Sequence, residues 1–122
     1  GEDYRSMVDG FKGLPSRPEV LAMFPPPLYL EGTMLGMNQT LINSIIPGII
    51  RRVAKDAGIP PPVDVTAAFL RECPDVTQNN CEIINKDMRM GPVYIAPDGC
   101  HPNTAGLALI SRLARDALPA GR

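Results

Sequence analysis

The chain lacks tryptophan, and its 122 residues include three tyrosines, three phenylalanines and a single histidine. So sparse an aromatic set argues against a base-stacking platform. An excess of one charge is missing too. Twelve basic residues stand against thirteen acidic ones, a net charge of −1 at pH 7, without the clustered basic face that nucleic acid or an anionic membrane requires. Long apolar runs are also absent. The longest, around residues 41–50, is interrupted by Asn43, Ser44, Pro47 and Gly48, and no segment is long enough for a membrane span. The first residues, Gly1-Glu2-Asp3-Tyr4, include no initiator methionine. This reads as a processed or partial chain, so a missing leader says nothing of the compartment.

What the chain does have begins with its three cysteines, an odd count. Cys73 and Cys81 flank a polar stretch, a spacing suited to a small disulfide loop worth roughly 2–3 kcal/mol in closure entropy. Three reduced thiols in a cytosolic protein is the competing reading, and the spacing alone does not separate the two. Asn38-Gln39-Thr40 matches the glycosylation acceptor pattern and inclines the reading toward a secreted or lumenal setting. Asn38 equally suits the cap of the helix that follows it.

Hydrophobic spacing organises the rest. Tyr4, Met7, Val8, Phe11 and Leu14 recur at helical intervals, which predicts an amphipathic helix ending near Gly13. Residues 19–24 form a short apolar run stopped by Pro25-Pro26-Pro27, the pattern of a buried parallel strand with a rigid exit. A continuous stripe from Leu41 to Ala57 predicts a second helix, capped by Asn38, kinked at Pro47 on its polar side and stopped at Gly58. Residues 63–66 form a second strand candidate, with a helical turn over residues 67–70. No period is sustained from residue 71 to 97, where Val93-Tyr94-Ile95 is the one strand-like patch. A last helix follows from Pro102 or Asn103 to Leu118. Strands alternating with helices imply an α/β fold with a parallel sheet covered on both faces. Two strands are too few for a stable sheet, so residues 1–122 read as part of one larger domain.

The chemistry concentrates in Asp98-Gly99-Cys100-His101-Pro102-Asn103. A carboxylate three residues before the only histidine can accept from one ring nitrogen and leave the other free to take a proton. The positive end of the following helix favours the neutral imidazole that a general base must be. A capping aspartate beside a surface histidine is the bland alternative. Cys100 as a nucleophile paired with His101 is disfavoured because adjacent side chains usually point apart. A metal site from Asp98, Cys100 and His101 matches no common ligand spacing.

The block Asp98-Gly99-Cys100-His101-Pro102-Asn103-Thr104-Ala105-Gly106 resembles the last conserved block of the SGNH (GDSL-type) hydrolases, D-x-x-H-P-N-x-x-G. The order of elements before it resembles that family's carboxyl-terminal half, so the likeness covers essentially the whole chain. The resemblance implies a flavodoxin-like three-layer α/β/α sandwich, incomplete in this chain, and hydrolysis of a carboxylic ester without metal or organic cofactor. It makes His101 the general base and acid, and Asp98 its orienting partner. The chain departs from the family where the nucleophile belongs. Ser6, Ser16, Ser44 and Ser111 do not follow Gly-Asp, and no Gly-x-Asn-Asp block is present. The expected partners are therefore an ester substrate and either a missing amino-terminal half or another polypeptide. The alternative is a non-catalytic structural or interaction subunit of a larger assembly.

Overall fold

The computed structural model describes residues 1–31, 36–90 and 92–119. Among these described residues four α-helices dominate: α1 (Glu2–Lys12), α2 (Ile46–Ala57), α3 (Val65–Glu72) and α4 (Thr104–Asp116). The two strands, β1 (Asp87–Met90) and β2 (Val93–Pro97), form an antiparallel ribbon.

Each helix begins or ends on local chemistry. Glu2 and Asp3 place negative charge in the first turn of α1, Lys12 places positive charge in its last turn, and both complement the helix dipole. Arg5 and Asp9, one turn apart, pair at 2.6 Å. A π-helical turn, Leu41–Ile45, leads into α2, and the amide of Leu41 bonds the Asn38 side chain at 2.8 Å. Helix α2 ends at Gly58 in the left-handed conformation, with the Ile59 amide reaching back to the Ala54 carbonyl at 3.1 Å. Asp64 caps α3 through the Ala67 amide.

The parallel three-layer α/β/α sandwich expected from the sequence is not formed: the architecture is mostly helical, and its ribbon is antiparallel. The two strand candidates do lie side by side, but only one parallel bridge, Met23 with Val63, joins them. Prolines explain the brevity. Pro25–27 follow one segment and Pro60–62 precede the other, and a proline has no amide to donate to a ladder. Beyond Val63 the chain turns into α3 instead, because Asp64 caps a helix where the pattern predicts a strand. Pro47, placed on the polar side by the sequence pattern, is buried near the start of α2, and the π-helical turn lies just before it.

The main core cluster holds Tyr29, Val65, Phe69, Cys81 and Ile84, with Ile110 and Leu113 of α4 packed onto it. A second cluster joins Val8 of α1 to Val53 and Ala57 of α2. Lys12 adds a bond from its ammonium to the Ala57 carbonyl. Met7, Phe11 and Leu14, expected on the buried face of the first helix, are exposed instead. Cys73 and Cys81 form a disulfide, which resolves the choice left open by their spacing. Among the described residues, no helix is long and apolar enough to cross a membrane.

Candidate acid–base site

Residues 98–101 leave β2 and enter α4 as a tight loop, pinned by backbone bonds on two sides. The Asp98 amide donates to the Lys86 carbonyl at 3.0 Å, and the Asn85 amide donates to the His101 carbonyl at 2.9 Å. On the other side, the Tyr29 amide donates to the Gly99 carbonyl at 2.8 Å. Gly99 has φ +79°, and a Cβ there would stand 2.7 Å from Leu30 Cβ. Both the handedness and the close approach demand glycine.

Asn103 starts α4, its side-chain oxygen accepting from the amides of Ala105 at 2.9 Å and Gly106 at 3.2 Å. Its Nδ2 donates to the Glu82 carbonyl at 2.7 Å, which ties the helix start to the chain after the disulfide. Gly106 lets α4 settle there, since a Cβ would meet the Ile83 carbonyl oxygen at 2.3 Å. Residues of this nine-residue block thus have separate mechanical duties. Two glycines permit close approach, and Asn103 fixes the helix.

Asp98 is buried, 2% exposed. Its Oδ1 accepts from the amides of Cys100 at 3.0 Å and His101 at 2.9 Å, and lies 2.9 Å from His101 Nδ1. The Cys100 thiol donates to the same oxygen at 3.2 Å. Burial raises the Asp98 pKa, but the His101 and Cys100 amides and the two side chains outweigh it and hold the carboxyl below its ordinary value. An ionised Asp98 accepts from Nδ1–H, leaving the lone pair on Nε2 of an imidazole whose side chain is 58% exposed. The two residues singled out by the sequence are therefore brought together.

Cys100 behaves differently from the sequence reading. Adjacent side chains were expected to diverge, yet Sγ lies 3.3 Å from His101 Nδ1. The nucleophile reading fails for another reason. Burial, and then the hydrogen bond and charge of Asp98, push the thiol up to about 12, so the reactive thiolate is suppressed. Asp98, Cys100 and His101 do offer three ligand atoms within 4.8 Å of one another. Their donor chemistry fits a cation poorly, because Oδ1 already accepts from two amides and the thiol is held protonated. The arrangement suits proton transfer.

Sequence reasoning missed Tyr29. It is fully buried, its hydroxyl donates to the Phe69 and Cys73 carbonyls at 3.3 and 3.0 Å, and its amide holds Gly99. No local pattern marks a tyrosine after three prolines as the support of a loop seventy residues on. Among the described residues, no serine is a hydrogen-bond partner of His101. The trough between α1 and α2, about 700 Å³, is lined by Glu2, Arg5, Ser6, Ile49, Arg52 and Asp56 among others and includes neither Asp98 nor His101. No family model, curated protein or solved structure matches the chain.

Proposed function

We propose that Asp98 and His101 are the orienting acid and general base of a serine-type carboxylic-ester hydrolase, supplied to a nucleophile and oxyanion donors borne on another segment or polypeptide. The observation that carries this reading is the 2.9 Å contact between a buried carboxylate oxygen and Nδ1 of an exposed imidazole. In such a reaction His101 Nε2 takes the serine proton as the oxygen attacks the ester carbonyl. Asp98 stabilises the imidazolium, which then returns the proton to the departing alkoxide. The resemblance of residues 98–106 to the last block of the SGNH hydrolases supports the same assignment. Without the serine, and without oxyanion donors worth about 10²–10³-fold each, the dyad alone has little to act with.

The test is ester hydrolysis by the full protein, or by this chain with the polypeptide that accompanies it. His101→Ala should lower the rate by several orders of magnitude, and retained activity overturns the reading. It also fails if neither the parent gene nor an accompanying chain carries a Gly-Asp-Ser block.

A second reading, a non-catalytic interaction subunit, is favoured by exposed apolar side chains on and just after α1. Met7 and Phe11 of the helix are 49% and 51% exposed, and Leu14, in the bend that follows it, is 44% exposed. A constantly co-purifying polypeptide, with no ester hydrolysis in the assembly, would select it.

A further inference from the structure

Asn38-Gln39-Thr40 is the one Asn-x-Ser/Thr triplet in the sequence, and it lies at the start of the helical turn that leads into α2. Gln39 turns its side chain inward, donating from Nε2 to the carbonyls of Leu28 at 2.9 Å and Val76 at 2.6 Å. Its neighbours on both sides, Asn38 and Thr40, are exposed. The middle residue anchors the triplet, and the two residues an acceptor site needs are left on the surface.

The Asn38 amide also divides its work in a way compatible with a substituent. Oδ1 caps the following helical turn by accepting from the Leu41 amide at 2.8 Å. Nδ2 makes one exposed bond, to Glu31 Oε1 at 3.0 Å. Substitution on nitrogen leaves the capping oxygen untouched and one N–H in place. The residue after the triplet is Leu41, so no proline stiffens the acceptor sequence.

Compartment supplies the independent observation. The Cys73–Cys81 disulfide belongs to an oxidising environment such as the secretory lumen, where N-glycosylation also takes place.

We infer that Asn38 is an N-glycosylation site, modified on Nδ2 in the compartment where Cys73 and Cys81 pair. In the transfer, Nδ2 attacks the anomeric carbon of a polyprenyl-pyrophosphate-linked oligosaccharide. A C–N bond forms, the C–O bond to pyrophosphate breaks, and the polyprenyl pyrophosphate leaves with the electron pair. The amide proton passes to the transferase's base. No oxidant or reductant enters this step.

The chain is expressed behind a secretory leader in a eukaryotic cell line, and the secreted protein is analysed by intact mass and peptide mapping. The expected result is a glycan at position 38 that peptide-N-glycosidase removes, leaving Asp at that position. Asn38→Asp, which keeps a capping oxygen, and Thr40→Ala, which leaves the cap intact, should each abolish the modification. Thr40→Ser should retain it. Secreted protein with the Cys73–Cys81 bond formed and bare Asn38 overturns the assignment, as does a glycan that survives Thr40→Ala. Failure of any variant to be secreted is resolved by the same mapping on microsomal material from the same cells.

Discussion

Asp98 holds His101 twice through one oxygen: Oδ1 receives the backbone amide at 2.9 Å and lies 2.9 Å from ring Nδ1. The backbone bond sets where the ring is mounted, and the ring bond sets which way it faces and which nitrogen keeps the proton.

That geometry fixes a tautomer. In ¹⁵N-resolved NMR of the native chain with the ring neutral, the Nδ1–H form of His101 should predominate. Asp98→Asn should remove the preference. Because the folded carboxyl titrates below its ordinary value of 3.8, its contribution to stability is full above that pH and is lost as pH falls through the folded value. The Asn variant should lack this acid-dependent loss. A native ring protonated on Nε2 contradicts the assignment.

Three glycines separate close approach from mere helix propensity. Gly99→Ala meets Leu30 and a left-handed backbone, and should destabilise by about 2 kcal/mol or more. Gly106→Ala meets the Ile83 carbonyl and should cost about as much by lifting α4 from its seat. Gly48→Ala, inside α2 with nothing within 4 Å, should instead gain about 0.5–1 kcal/mol. Urea midpoints of the three variants provide the comparison, and a tolerated Gly99→Ala refutes the loop geometry.

Cys100 should be a slow thiol. With its pKa pushed up to about 12 by burial and Asp98, little thiolate exists at pH 8 to react with iodoacetamide. Asp98→Asn removes the carboxylate's hydrogen bond and charge, so the alkylation rate should rise. Rapid labelling of the native chain at pH 8 would count against this environment.

Tyr29 should limit stability in alkali. Burial raises its hydroxyl from 10.0 to about 12, so the unfolded chain releases that proton first. Stability is then full below pH 10 and falls as pH rises toward 12, by about 3 kcal/mol at roughly 1.4 kcal/mol per pH unit. Tyr29→Phe should flatten this part of the pH profile while costing about 1–2 kcal/mol at neutral pH for the lost hydrogen bonds. Denaturation curves at pH 8, 10 and 11.5 make the comparison.

Local signals located α1, α2 and α4 well. Gly13 and Gly58 end their helices and Asn103 begins one, because caps are decided within a few residues. The same locality hid the sheet's failure. Residues 19–24 and 63–66 carry strand composition, yet whether a ladder extends depends on amides that the neighbouring prolines lack and on Asp64 choosing a helix. The β1–β2 ribbon was likewise invisible except at residues 93–95, since register is set across the hairpin and not along it. The dyad was legible because its members are three residues apart. Its support was not, because Tyr29 comes from a distant part of the chain and acts through its backbone amide as much as its ring.

Tyr29 also joins two places that look unrelated in the chain. One end of the residue bonds Gly99, next to Asp98; the other bonds the carbonyl of disulfide-linked Cys73. In mechanical terms it is a strut between a covalent staple and the mount of an imidazole. The dyad's loop therefore borrows its stiffness from elsewhere, and its alignment is only as steady as the anchorage at the far end of one buried ring.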